Sequence, residues 1–135
     1  MNKPARTPRL PSIVLGSDEH KRLTGLASAA LSRLPEVAEE LLSELDRARL
    51  VAPGRVPASA VRMGSTLTFT ANGQSRTVTL VYPEEADIAA GRISILTPIG
   101  AALIGLSEGQ SIAWTDRSGR RQELTILSAR PPSDL

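Results

Sequence analysis

Apolar residues in the first third of the chain recur at helical spacing and then, past an interruption rich in proline and glycine, at strand spacing. Leu23, Leu26, Ala27, Ala30, Leu31 and Leu34 form one stripe at intervals of three and four or their neighbours. Ser17 reads as the N-cap of that helix, with the acids Asp18 and Glu19 suited to a helix N-terminus. Pro35 disfavours helical geometry at Leu34 and suits the first position of a new helix, so a second helix is expected from Pro35 to about Leu50. Its apolar residues Leu34, Ala38, Leu41, Leu45 and Ala48 follow the a/d spacing of a coiled-coil seam. Two such helices joined by a tight turn make an antiparallel hairpin, each arm reaching on the order of 20 to 25 Å at about 1.5 Å per residue.

Residues 52–60, with Pro53, Gly54 and Pro57, continue neither helix nor sheet and read as a linker. Beyond it the period changes to two. Residues 66–70 alternate, Asn72-Gly73 is a strong two-residue hairpin signal, and residues 74–82 alternate again. Residues 93–96 read as a short buried strand. A short helix follows, with Thr97 as cap, Pro98 at its first position and Gly105 just past its end. Residues 111–116 and 122–129 complete the strands, the last with Leu124, Ile126 and Ser128 on one face. The expected class is α+β: a helical hairpin at 17–51, then an antiparallel sheet of about five strands carrying one short helix in 61–135.

With 135 residues and 41% apolar content, the chain is long enough for one core. The absence of cysteine excludes disulfides, thiolate catalysis and cysteine-ligated metal. No apolar run approaches the roughly 20 residues of a membrane helix and no secretory h-region is present, so a cytoplasmic protein without a membrane partner is expected. Lys3, Arg6 and Arg9 concentrate positive charge in a flexible N-terminal arm, residues 1–16, and leave 13 basic against 14 acidic residues after it. One Phe, one Tyr and one Trp are too few for a nucleic-acid stacking platform, so direct sequence-specific nucleic-acid binding is not expected.

Several segments, in order, resemble a known family. Val61-Arg62-Met63-Gly64-Ser65-Thr66-Leu67, Leu80 to Asp87 with its Tyr82-Pro83-Glu84-Glu85 core, Gly91 to Ile95 and the Thr97 to Gly105 helix look like the C-terminal domain of Gre transcript-cleavage factors. Leu80-Val81-Tyr82-Pro83 and Glu44-Leu45-Asp46-Arg47-Ala48 narrow the resemblance to the Rnk branch, over about residues 12 to 130. The resemblance implies an FKBP-like fold for 61–135. It also implies a regulator that binds RNA polymerase at the β′ rim of the secondary channel, directs its coiled coil inward and competes with Gre factors without stimulating cleavage.

Gre factors carry an Asp-x-x-Glu pair at the hairpin tip to hold Mg²⁺ and orient a water. The matching positions here are Arg33 and Glu36, so one carboxylate is replaced by a cation that repels the metal. Glu36 and Glu39 at i,i+3 spacing are the remaining acid pair, and first-turn acids also simply complement the helix dipole. His20 is the only histidine, which excludes a His-based metal cluster and reads as a surface residue. Phe69 and Trp114 read as core residues of strands, and three aromatics are too few for the apolar bowl of a prolyl isomerase. Residues 82–87 read as a solvated acidic loop. No catalytic residue, metal or cofactor is therefore expected. The resemblance implies a partner-binding edge at Leu96, Thr97, Pro98, Ile99 and Ala102, with Arg33, Glu36 and Glu39 at the hairpin tip. The residues leave oligomeric state open.

Overall fold

Pro35 divides the N-terminal helices as its chemistry dictates. In the computed structural model, which describes residues 10–116 and 118–132, α1 spans Ser17–Ala30 and α2 spans Pro35–Arg47. The Arg33 and Leu34 N–H groups both donate back to the Ala30 carbonyl, at 3.1 and 2.8 Å, and close the first helix before the proline. The helices run antiparallel: the His20 ring Nε2, near the start of α1, lies 3.0 Å from the Leu45 carbonyl near the end of α2. A carbonyl can only accept, so Nε2 carries the hydrogen. His20, expected as a surface residue, is half-buried and clasps the two helices.

The ends of this hairpin differ from expectation. Gly16, not Ser17, is the N-cap of α1, and no side chain caps it. The second helix stops at Arg47, three residues early, because Arg49–Val51 forms a strand, β2, beside β1, Val14–Gly16. The two strands pair in parallel, Leu15 opposite Leu50. Parallel neighbours require a long crossover, and here the helical hairpin is that crossover. Within the expected flexible arm, residues 1–9 lie outside the described residues, but Ile13 and Leu15 are buried and the Val14 N–H donates to Gly105 at 3.1 Å.

The second part is a five-stranded sheet: β3 Thr66–Ala71, β4 Gln74–Val81, β5 Arg92–Ser94, β6 Ser111–Thr115 and β7 Arg121–Arg130, in the order β5-β4-β3-β7-β6. Asn72 and Gly73 take positive φ of 56° and 75° in the β3–β4 turn, as the Asn-Gly pair predicts. The expected all-antiparallel sheet is corrected at one edge. The chain leaves β4, passes two short 3₁₀ turns at Pro83–Glu85 and Ile88–Ala90, and returns so that β5 pairs with β4 in parallel. The β3–β7 register also shifts at Thr68/Phe69. Leu127 is the extra residue, so Ala129 turns inward at 7% exposure while Ser128, expected on the core face, is exposed.

One short helix, α3 at Pro98–Leu103, lies between β5 and β6 in the chain and packs against both α2 and β6. Leu23, Leu41 and Leu45 of the hairpin belong to the same buried cluster as Phe69, Leu80, Leu103 and Ile126. Each fully buried side chain of this kind contributes roughly 1.5 to 3 kcal/mol. The hairpin base and the sheet therefore share one core. Leu31 and Leu34, expected in the helical stripe, sit on the exposed tip turn instead.

Candidate functional site

The start of α3 is tied down by a small hydrogen-bond knot. Thr97, in extended geometry, donates its hydroxyl to the Ser94 carbonyl at 2.8 Å and accepts the Gly100 N–H at 3.1 Å. Pro98 then occupies the first helical position, where no N–H is needed. The Leu96 N–H donates to the Ser94 hydroxyl at 3.0 Å, and the Ile95 N–H to the Val81 carbonyl at 2.9 Å. Gly100 is required here because a Cβ would enter the Ser94 carbonyl oxygen. Capping and close approach together fix where Leu96, Pro98 and Ile99 stand.

Four of the five residues expected at this edge are half-buried: Leu96, Thr97, Pro98 and Ile99. Ala102 is not at the surface. It is only 8% exposed, because α2 packs on that side of α3 and leaves a narrow crevice of about 100 Å³ bordered by Glu40, Ser43 and Glu44.

On the other side of Pro98 a groove of about 590 Å³ opens. Ile93, Pro98, Ile99 and Trp114 supply its apolar surface, Ile88 stands at its margin 79% exposed, and Arg76 and Arg92 border it. Phe69 lies in the core, as expected. Trp114 is only half-buried and forms the ridge between groove and crevice, and its indole N–H has no partner among the described residues. Sequence reasoning missed this groove because Ile88 lies in a loop without periodicity and Trp114 shares the inward side of β6 with Ile112.

Asp116, also on the groove wall, is committed locally. The Ser118 hydroxyl at 2.6 Å, with the Arg120 and Ser118 backbone N–H groups at 3.0 and 2.9 Å and the Gln122 amide, holds its carboxyl below the usual range. Asp87 spends its side chain on the Ala90 N–H.

At the junction of α1 with the sheet domain, the Arg22 guanidinium lies 4.1 Å from the centroid of the Tyr82 ring. Glu19 is half-buried beside it, and burial raises its carboxyl pKa against the opposing pull of the Met63 N–H and Arg62. Among the described residues one Glu19 oxygen and the Arg62 Nε have no hydrogen-bond partner. Tyr82 thus belongs to a packed junction as well as to the expected solvated loop.

The hairpin tip is open. Arg33, Glu36 and Glu39 are all exposed, on the tip turn and the first turns of α2. Glu40, one turn further, has its pKa raised by burial and by the neighbouring Glu44 and Glu36. Among the described residues no group of three or more His, Asp or Glu side chains is arranged to hold a metal ion, and no helix is long and apolar enough to cross a membrane.

Residues 56–131 match the C-terminal family of GreA/GreB transcription elongation factors, and residues 11–51 match the Rnk N-terminus. The regulator of nucleoside diphosphate kinase of Escherichia coli (strain K12) is 35% identical over 120 residues, 87% of this chain and 88% of that protein. The transcription elongation factor GreA of Azorhizobium caulinodans is 31% identical over 121 residues, 84% of this chain and 77% of that protein. Among solved structures, a GreA/GreB elongation factor from Nitrosomonas europaea superposes with a TM-score of 0.70 at 33% identity, covering 90% of this chain and 99% of that one.

Proposed function

Because the chain belongs to the GreA/GreB family of transcription elongation factors and carries an Rnk N-terminus, we propose that it is an RNA polymerase-binding regulator that docks near the secondary channel through the start of α3. The observation that carries this reading is the groove beside Pro98. Half-buried Pro98 and Ile99, with the ridge of Trp114, offer an apolar seat held in place by the Thr97 to Ser94 knot. A preorganised seat of this kind loses little entropy on binding. The FKBP-like domain acts as the grip and the helical hairpin as a short inward arm.

The arm occludes or positions and does not catalyse. Cleavage stimulation needs two carboxylates on one Mg²⁺, and Arg33 puts a guanidinium where one of them would stand. Helices of 14 and 13 residues extend only about 20 Å, and part of that length is buried in the core. The protein then competes with Gre factors for the same rim.

The test is co-migration of the purified chain with bacterial core polymerase, and displacement by a Gre factor. The Thr97→Asp, Pro98→Ala pair keeps a capping oxygen but places charge on the seat, and is expected to abolish co-migration while the fold survives. Failure of the wild-type chain to bind core polymerase overturns the proposal. Transcript shortening in a stalled complex, lost on Glu36→Ala, would overturn the non-catalytic part alone.

A further inference from the structure

Resting on the docking reading above, the geometry points to a groove occupant of one chemical kind: a protein segment whose apolar contact is flanked on one side by carboxylates, which Arg76 and Arg92 receive. Arg76 on β4 and Arg92 on β5 are both exposed at the groove margin. Neither lies within ion-pair distance of a carboxylate among the described residues, where the single ion pair joins Arg47 to Glu44 far from this margin in the chain. Asp116, the acid that lines the groove, and Asp87, in the loop beside Ile88, already spend their oxygens locally. Asp116 accepts four hydrogen bonds within its own turn, and Asp87 caps Ala90. Asp116 stays ionised, but its oxygens are saturated by these donors, so among the residues lining the groove the guanidinium groups of Arg76 and Arg92 are the charged groups with hydrogen-bonding capacity left for a partner.

The other end has the opposite sign. Past the Trp114 ridge, the crevice is bordered by Glu40 and Glu44, so a carboxylate laid there would meet like charge. Glu44 is neutralised by Arg47 at 2.6 Å, which leaves Glu40 as the repelling group. An apolar side chain seated between Ile99 and Trp114 is thereby oriented. Its acidic flank points to Arg76 and Arg92 and away from α2. Arginine suits this task because its planar fork pairs with carboxylates in two bonds.

Affinity for purified core polymerase, measured from about 50 to about 300 mM salt, tests the assignment. Arg76→Glu with Arg92→Glu is expected to weaken binding at low salt by on the order of tenfold or more and to flatten the salt dependence. Arg49→Glu with Arg130→Glu changes net charge equally at exposed positions away from the groove and is expected to leave binding near wild type. Thermal melts of both variants report that they fold. Wild-type affinity and salt slope in the Arg76, Arg92 pair overturn this inference while leaving docking intact. Absence of wild-type binding removes the docking reading itself. Displacement of bound polymerase by single-stranded RNA from the wild type but not from the pair would assign the arginines to phosphate and also overturn it.

Discussion

Gly100→Ala separates two effects that a single methyl brings to a helix. In an unobstructed helix, replacing glycine by alanine is favourable by about 1 kcal/mol, chiefly through the entropy of the unfolded chain. At Gly100 the added Cβ would overlap the Ser94 carbonyl oxygen and stand 2.9 Å from the Ile95 Cα and 3.0 Å from the Thr97 Oγ1. Two of these obstacles are backbone at the end of β5, which cannot rotate away. Overpacking of this kind costs about 3 kcal/mol, so the net loss is about 2 kcal/mol. At roughly 4 °C per kcal/mol for a chain of this size, the melting temperature falls by about 8 °C. Gly25, exposed on α1 with nothing within 4 Å of its would-be Cβ, is the control, and Gly25→Ala should gain about 4 °C. Thermal and urea unfolding, followed by the fluorescence of Trp114 and by far-ultraviolet circular dichroism, measure the temperature shift and the free-energy change of both variants. A Gly100→Ala chain as stable as wild type would refute the claim that close approach fixes the start of α3.

Burial raises the Glu19 carboxyl above its ordinary value of 4.5. The folded state then binds the proton more tightly than the unfolded state, so the contribution of this group is fully present below the unfolded pKa and is lost as pH rises through the folded one. Glu19→Gln should therefore be more stable than wild type at neutral pH and lose that advantage toward pH 4, measured by urea midpoints across the range; an equal gain at all pH values would refute the cause. At the hairpin tip, Leu31→Ser with Leu34→Ser removes side chains already 37% and 40% exposed, and the unfolding free energy from urea titration should fall by no more than about 1 kcal/mol in total. A larger loss would mean that these leucines pack where the structure leaves them open.

Local chemistry explains which elements were legible from residues alone. Pro35, the Asn72-Gly73 turn and the Thr97-Pro98 start of α3 each impose a conformation within a few residues, and each stands where the pattern puts it. What depends on distant partners was not legible. Arg49–Val51 continues a helical spacing, and only pairing with Val14–Gly16 makes it a strand. Leu127 and Ser128 alternate correctly for a regular strand, and only the register shift against β3 turns Ala129 inward. The same holds at the site. Leu96 to Ile99 were visible because capping residues announce a helix start, whereas Arg76, Ile88, Arg92 and Trp114 come from four separate segments that the sheet alone assembles. Ala102 matched the edge in order along the chain but not in space, since α2 covers it.

The parallel pairing of β1 with β2 changes what the hairpin can do. A hairpin hung from a linker would sweep a wide cone. Here both ends of the helical crossover are held in one small sheet, the Arg49 N–H donates to Ile13 at 2.9 Å, and Arg47 bonds both Glu44 and the Pro11 carbonyl. Leu23, Leu41 and Leu45 then seat the helices in the core that also holds α3, and Arg22 pins α1 against Tyr82. Moving the hairpin relative to the groove would expose several of these leucines at once, a cost well above thermal energy. If the groove is the docking seat proposed above, binding there fixes the direction of the tip as well as the attachment of the protein. On that reading, with less than the helices' length of about 20 Å projecting from the core, the exposed Leu31, Arg33 and Leu34 would meet one defined place on the partner and act there by shape and charge.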